Sequence, residues 1–142
     1  MRSNVLVGLQ LLAVTALAWP ASARGWLWPA LGLGAAGTTW LIWAGRTNPP
    51  GNFNIRPEPK AGGQLVTTGP YRLVRHPMYF GVLLGGAGLV VLWPVWWKAA
   101  AWGGLLAVAL VKARLEERAL AALFPEYDAY RRGRRFLVPW VW

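Results

Sequence analysis

A short stretch near the middle of the chain holds the side chains best suited to chemistry. It reads Arg75-His76-Pro77-Met78-Tyr79-Phe80-Gly81 and contains the single histidine of the sequence. Proline is tolerated in the first turn of a helix, where its missing N–H group has no intrahelical partner. The stretch therefore predicts a helix beginning at Pro77, with Arg75, His76 and Tyr79 at an end that favours a carboxylate or phosphate. The alternative is that Arg75 and His76 only anchor this helix at a membrane surface.

A second candidate group is the pair of adjacent acids Glu116 and Glu117. Alone, the pair would serve as solvated partners of Arg114 and Arg118 on a helix surface. Combined with the histidine stretch, it supplies carboxylates, basic groups, aromatic rings and backbone amides. S-adenosylmethionine requires such a set, because its carboxylate needs N–H or basic partners, its ammonium needs a carboxylate, and its sulfonium favours an aromatic face or oxygen atoms.

The composition indicates the class of protein that must position these groups. The chain has 142 residues, of which 56% are hydrophobic and 14% charged, so it is too apolar for an ordinary soluble domain. We predict one all-α integral membrane domain over residues 1–142. The absence of cysteine excludes disulfides, thiolate zinc sites and cysteine nucleophiles, and no metal site is expected with one histidine and five acids. A net charge of +10 is typical of membrane proteins that face anionic lipid, and no nucleic-acid partner is expected.

Four apolar runs predict four transmembrane helices, at about residues 4–19, 26–45, 77–93 and 94–111. The second run has about 20 residues, the length that spans a bilayer. The fourth continues past residue 111 into strong helix formers, with no breaker before Pro125. The first run could also be a signal peptide, but its start carries only Arg2 and the run is long, so a retained helix is preferred.

Residues 32–37 match the dinucleotide-binding pattern G-x-G-x-x-G. We reject that function, because the pattern needs a preceding strand and these glycines lie inside an apolar helical run. Small residues here, and Gly81, Gly85 and Gly88 in the third helix, instead predict close packing between helices.

The distribution of basic residues predicts the topology. With four spans, one side holds Arg2, five basic residues in 46–75 and seven in 112–135, thirteen in all, and the other holds Arg24 and Lys98. By the positive-inside rule both termini are cytoplasmic, in a bacterial inner membrane. The segments 46–76 and 112–142 then form the site on the same face. The tail from Arg131 to Trp142, basic and then aromatic, is typical of an interfacial anchor, and the alternative is that it closes one wall of the pocket.

Three segments together resemble the isoprenylcysteine carboxyl methyltransferase family and the related phospholipid N-methyltransferases. They are Gly63-Gln64-Leu65-Val66-Thr67-Thr68-Gly69-Pro70-Tyr71, then the Arg75 to Gly81 stretch, then Glu116-Glu117 with Phe124-Pro125-Glu126-Tyr127-Asp128-Ala129-Tyr130. The similarity runs from about residue 52 to residue 139. It implies an integral membrane methyltransferase that uses S-adenosylmethionine.

The resemblance also implies roles for individual residues. It implies a cofactor site formed by Glu58, Gly63, Gln64, Leu65, Val66, Tyr71, His76, Pro77, Met78, Tyr79 and Glu116. A basic residue shortly before the acids would contact the acceptor, and both Lys112 and Arg114 qualify. The candidate bases for an amine acceptor are Glu117, Tyr79 and water, whereas a carboxylate acceptor needs none.

Two functions are compatible with the sequence. The first is methyl transfer to a lipophilic or small amphipathic acceptor at the cytoplasmic face, either the carboxylate of an isoprenoid-type compound or a phospholipid amine. Membrane lipids surround such an enzyme, and no obligate protein partner is expected. The alternative is a non-catalytic scaffold or small transport component with a basic, lipid-binding face, which would tolerate replacement of Glu116 and His76.

Overall fold

The computed structural model describes residues 2–22, 25–52, 54–58 and 62–141. Within them the helices are α1 (Arg2–Ala18), α2 (Leu27–Thr47), α3 (Pro77–Leu92), α4 (Trp96–Leu123) and the short α5 (Tyr127–Arg132). A 3-10 turn occupies Gly69–Arg72, and the remaining regular structure in these ranges is one parallel bridge between Val74 and Arg135. The all-α prediction is confirmed. Arg24 and Lys60, which entered the charge count, lie outside the described residues.

The four long helices lie where the apolar runs predicted them, and α4 continues without a break to Leu123. In the part of the chain that the structure describes, no helix is both long enough and apolar enough to cross a membrane. The helices are therefore confirmed as helices, and their role as membrane spans stays a prediction.

Glycines bring α2 and α3 into close contact. A Cβ atom added to Gly37 would lie 2.6 Å from the backbone nitrogen of Gly85 and 2.8 Å from the carbonyl oxygen of Gly81. One added to Gly88 would lie 2.9 Å from the carbonyl oxygen of Ala30. The G-x-G-x-x-G pattern thus lies within α2, and the predicted close packing is confirmed at Gly37, Gly81 and Gly88.

Helix α1 packs mainly on α4, and a buried lysine links their ends. The Lys98 ammonium donates a hydrogen bond to the carbonyl oxygen of Leu17 and lies 4.3 Å from the ring centre of Trp93. It thereby satisfies a carbonyl at the C-terminal end of α1, where intrahelical donors run out. Leu17 also belongs to the apolar core, with Leu83 of α3 and Leu105 of α4.

The tail after α5 folds back onto the segment that precedes α3. The amide of Arg75 donates to the carbonyl of Arg135 at 2.9 Å, while Phe136 and Leu137 are buried in the core. Trp140 remains exposed. The interfacial-anchor interpretation therefore does not extend to Phe136 and Leu137, because the bridge turns these two side chains inward.

Candidate active site

The start of α3 fixes the orientation of the histidine. Pro77 is the first helical residue and His76 is the N-cap, as the sequence predicted. The 3-10 turn at Gly69–Arg72 reverses the chain just before it, with the positive φ of 56° at Gly69 that glycine tolerates best. His76 is left only 4% exposed, so its ring must find its partners within the protein.

Two carboxylates flank the imidazole of His76. Its Nδ1 lies 3.4 Å from Oε2 of Glu116, and its Nε2 lies 3.3 Å from Oε1 of Glu117. The Nε of Arg75 lies 3.1 Å from the same oxygen of Glu117. The acids therefore face the histidine stretch, and not Arg114 and Arg118 as the alternative interpretation of the pair required.

The charges in this cluster shift one another's protonation. Burial by itself would lower the pKa of the His76 imidazole, but the hydrogen bonds and negative charges of Glu116 and Glu117 raise it above its usual value. Burial would likewise raise the pKa of Glu117, and His76 together with Arg75 lowers it instead. These directions favour an imidazolium that donates from both ring nitrogens to two carboxylates.

A cleft of about 1100 Å³, including space at its open mouth, lies beside this cluster. Helices α1, α3 and α4 and the loop between α2 and α3 all contribute to its walls. Every residue that the resemblance implied for the cofactor lines it: Glu58, Gly63, Gln64, Leu65, Val66, Tyr71, His76, Pro77, Met78, Tyr79 and Glu116. The structure thus brings these residues together, and their binding of a cofactor stays a prediction.

The side chain of Asn52 holds the loop wall of the cleft in place. Its Oδ1 accepts from the backbone nitrogen of Gln64 at 2.8 Å, and its Nδ2 donates to the carbonyl of Gln64 at 3.0 Å. The Nδ2 also donates to Oδ1 of Asn48 at 2.7 Å, at the end of α2. The Asn52 side chain thus makes the pair of backbone hydrogen bonds that a neighbouring strand would otherwise make with Gln64. These bonds fix Gly63 to Val66 relative to the helices.

Lys112 of α4 also lines the cleft and is 1% exposed. Its ammonium donates to Oε1 of Gln10 on α1 and, at 2.7 Å, to the carbonyl of Ile55. It also lies 5.6 Å from the ring centre of Tyr79. Of the two basic residues that the sequence left open, Lys112 therefore faces the cleft, while Arg114 is exposed and does not line it.

Aromatic side chains pack around the cleft and against the His76 ring. The hydroxyl of Tyr130 donates to the carbonyl of Tyr71 at 2.8 Å, and the Phe136 ring meets the His76 ring edge-on with centres 5.2 Å apart. Burial, with a smaller effect of the Glu116 charge, raises the pKa of the Tyr71 phenol to about 12. Tyr71 therefore stays protonated near neutral pH and can donate a hydrogen bond.

Glu117, one of the two residues that are candidate bases, does not line the cleft. Its carboxylate lies on the far side of His76, held by that ring and by Arg75. Tyr79, the other candidate, does line it. A catalytic role for either residue stays a prediction.

Several residues of the cleft were not predicted as site residues from the sequence: Gln10, Asn48, Asn52 and Ile55, and also Tyr127 and Tyr130, which contributed only to the family resemblance. A signal did exist for Gln10, because it is one of two polar residues inside the apolar run 5–19, and polar side chains in such runs are commonly functional. For Asn52 there was no such signal, since its bond to a residue twelve positions away depends on the path of the loop.

The arrangement combines carboxylates, a buried cation, backbone amides and aromatic rings around one space that is partly closed to water. Such a site can bind a zwitterionic ligand and orient a second, acidic or amphipathic molecule beside it. It can also favour a reaction in which charge is neutralised, because water is partly excluded.

Comparisons with known proteins match this chain to one family and to two curated relatives. A family model described as "Phospholipid methyltransferase" matches residues 33–127. The cobalt-zinc-cadmium resistance protein CzcN of Cupriavidus metallidurans is 41% identical over 73 residues, which is 48% of this chain and 32% of that protein. The nickel-cobalt-cadmium resistance protein NccN of Alcaligenes xylosoxydans xylosoxydans is 40% identical over 74 residues, 49% of this chain and 33% of that protein. The chain thus spans about a third of the length of these curated relatives. No solved structure matches it.

Proposed function

This chain belongs to the phospholipid methyltransferase family, and we propose that it transfers a methyl group from S-adenosylmethionine to a lipophilic or small amphipathic acceptor. One observation carries the proposal. His76 and Tyr79, the loop at Gly63 to Val66, and Glu116 are distant in sequence and line the same cleft.

The residues of the cleft fit the cofactor's polar groups. Glu116, whose side chain is 36% exposed, and Glu58 offer carboxylates to its ammonium. The loop held by Asn52 offers backbone amides to its carboxylate, and the rings of Tyr71 and Tyr79 offer apolar faces to adenine or the sulfonium.

When bound, the cofactor supplies an electrophilic methyl group on a sulfonium that is already a good leaving group. The protein's contribution is to align the acceptor and to limit water, which requires no strong acid or base. A carboxylate acceptor needs no deprotonation, whereas an ammonium acceptor must lose a proton. We propose that Glu117 positions His76 and is not the base, since two cations already hold its carboxylate.

The acceptor is proposed to be the carboxylate of an isoprenoid-type compound or the amine of a phospholipid. Both carry an acidic group near the reacting atom, and the buried ammonium of Lys112 lines the cleft beside Tyr79. We therefore assign the acceptor contact to Lys112 in preference to Arg114.

We further propose that the four long helices lie in a bacterial inner membrane with both termini in the cytoplasm. Large apolar side chains of α1 and α2 are exposed, including Val5, Leu12 and Leu31, and soluble proteins rarely leave so many uncovered. The bilayer would have to thin around helices as short as α1 and α3, with 17 and 16 residues. A reporter active only in the periplasm, fused to the C-terminus, should be inactive; strong activity would overturn this topology.

The two curated relatives are named for resistance to metal ions. We do not propose metal binding for this chain, because its described residues contain no group of three or more His, Cys, Asp or Glu side chains that could hold an ion. Methyl transfer accounts for the cleft better.

The direct test is binding of S-adenosylmethionine to the purified full chain by calorimetry. Glu116→Ala and His76→Ala should each weaken binding roughly thirtyfold or more, since removing one partner of a buried charged hydrogen bond costs about 2–5 kcal/mol. Glu126→Ala, which removes an exposed acid, should bind like the parent. Binding that survives both site substitutions would show that the assigned site is wrong, and no binding by the parent would favour the non-catalytic alternative.

A further inference from the structure

We propose that Gln10 is a positioning residue that holds the Lys112 ammonium on the cleft wall, where Lys112 binds an anionic group of the methyl acceptor, a carboxylate or a phosphate. The inference rests on the proposed function and names a specificity determinant within it. Gln10 lies outside residues 33–127, the part matched by the family model. It is therefore a feature of this chain beyond the matched region.

The charge of Lys112 depends on the groups around its ammonium. A buried ammonium needs partners for its three N–H groups. The structure supplies the side-chain oxygen of Gln10 and the carbonyl oxygen of Ile55. Both are neutral, so these hydrogen bonds solvate the cation without cancelling its charge. The nearby carboxylates of Glu116 and Glu58 favour the charged form against the effect of burial, and an anion bound in the cleft would add a direct partner for the ammonium.

The position of Lys112 in the cleft indicates which part of the acceptor it contacts. Lys112 precedes Glu116 by four residues on α4. It therefore lies about 6 Å closer than Glu116 to the N-terminal end of this helix. It meets α1 through Gln10 and α3 through the ring of Tyr79. Its bond to the carbonyl of Ile55 also joins it to the loop between α2 and α3. Lys112 lies about one turn closer than Glu116 to the apolar run of α4 that ends at residue 111, which suits the acidic group of a molecule with a long chain.

An amide at position 10 suits the Lys112 ammonium better than an apolar or an acidic side chain would. A leucine there would leave an N–H group of Lys112 unsatisfied, whereas a glutamate would neutralise the ammonium and repel an incoming anion. Glutamine holds the ammonium and leaves its charge available. The consequence is that Gln10→Glu separates a positioning role from a structural one, because a purely structural contact would be retained or strengthened by the carboxylate.

The experiment measures binding of three amphiphiles with the same chain length to the full chain in detergent: hexadecyl phosphate, hexadecanoate and neutral hexadecanol. Gln10→Leu should weaken binding of one or both anions about tenfold, the usual effect of losing a hydrogen bond to a charged group. Gln10→Glu should weaken it at least as much. Binding of hexadecanol should not change, and Thr15→Val, an exposed polar position of the same helix, is the matched control. Preference for phosphate or carboxylate identifies the source of the anion.

A double-mutant cycle completes the test. In a Lys112→Met background, the Gln10 substitutions should have no further effect on anion binding, because Gln10 is inferred to act through Lys112. Equal anion affinity in the parent and Gln10→Glu, or an equal loss for hexadecanol, would overturn the inference. So would a loss of S-adenosylmethionine affinity in the Gln10 variants without a loss of anion affinity, since the cation would then serve the cofactor.

S-adenosylmethionine binding is measured on the same samples so that the two proposals can fail separately. If the parent binds the cofactor and all Gln10 variants bind the anions equally, only the inference about Gln10 fails. If the parent does not bind the cofactor, the proposed function fails and the inference fails with it.

Discussion

Helix α3 is held by shape on one side and by charge on the other. On the side of α2, the two helices approach closely because glycines leave out side chains at the contact. A Cβ atom on Gly37 would collide with the backbone of α3. Against α4, the start of α3 is held by the contacts of Arg75 and His76 with Glu117, and the indole nitrogen of Trp102 donates to the carbonyl of Leu83 at 2.8 Å.

The two contacts respond differently to change. A glycine contact depends only on volume, so it should not vary with pH and should tolerate no larger residue. A charged contact depends on protonation and on the partners present, so it can be adjusted by a bound ligand. We infer that the α2–α3 contact is a fixed platform that ligand binding does not change. The α3–α4 contact is the one whose stability a bound ligand alters.

The largest effect is expected for Gly37→Val. The new Cβ would lie 2.6 Å from the Gly85 nitrogen, and because both close neighbours are backbone atoms, the helices must separate. We expect a loss of about 3 kcal/mol in the free energy of unfolding, at the upper end for an overpacked core, as measured by denaturant titration. The loss should be the same at every pH, and a pH-dependent loss would break the comparison.

A smaller loss is expected for Glu117→Ala. Both Arg75 and His76 lose a carboxylate partner, but the Glu117 side chain is 17% exposed, so water compensates in part. We expect a decrease of about 2 kcal/mol in unfolding free energy, below the range for fully buried pairs. If Glu117→Ala behaves like the exposed Glu126→Ala, the charged contact does not stabilise the junction.

The pH dependence should come from the charged side alone. The folded-state pKa of His76 is raised above 6.5, so its contribution to stability is complete below that pH and is lost as pH rises through the folded pKa. The folded-state pKa of Glu117 is lowered below 4.5, so its contribution is present above 4.5 and is lost as pH falls through the folded pKa. Melting temperatures should therefore decline on the alkaline side, and His76→Gln should remove that decline. If the melting temperature of His76→Gln still declines on the alkaline side, a group other than His76 causes the decline.

The smallest effect, and the only gain, is expected for Gly32→Ala. This glycine lies in α2, and a Cβ there would meet nothing within 4 Å. Alanine loses less backbone freedom on folding, so unfolding free energy should rise by about 0.5–1 kcal/mol. A loss of stability would mean that the α2–α3 platform extends further along the helix than Gly37 and Gly88 indicate.

The sequence predicted what depends on local preference. Pro77 and the preceding turn determined the start of α3, and the glycine spacing predicted that α2 and α3 would approach closely. The choice of Lys112 over Arg114 could not be predicted, because it depends on the rotation of α4 about its axis relative to α1. The inward course of Phe136 depends likewise on the bridge between Val74 and Arg135, which neither segment encodes alone.

That bridge also bears on the order of folding. Val74 and Arg135 are 61 positions apart in the chain (135 minus 74), and contacts between distant residues form slowly because the intervening chain must first be ordered. We expect α2 and α3, whose contact between Gly37 and Gly85 spans 48 positions (85 minus 37), to associate before the tail is captured. A folding intermediate of this kind would contain the paired helices while the His76 ring lacked the cover of Phe136. The chain would then acquire its shape earlier than it acquires a closed site.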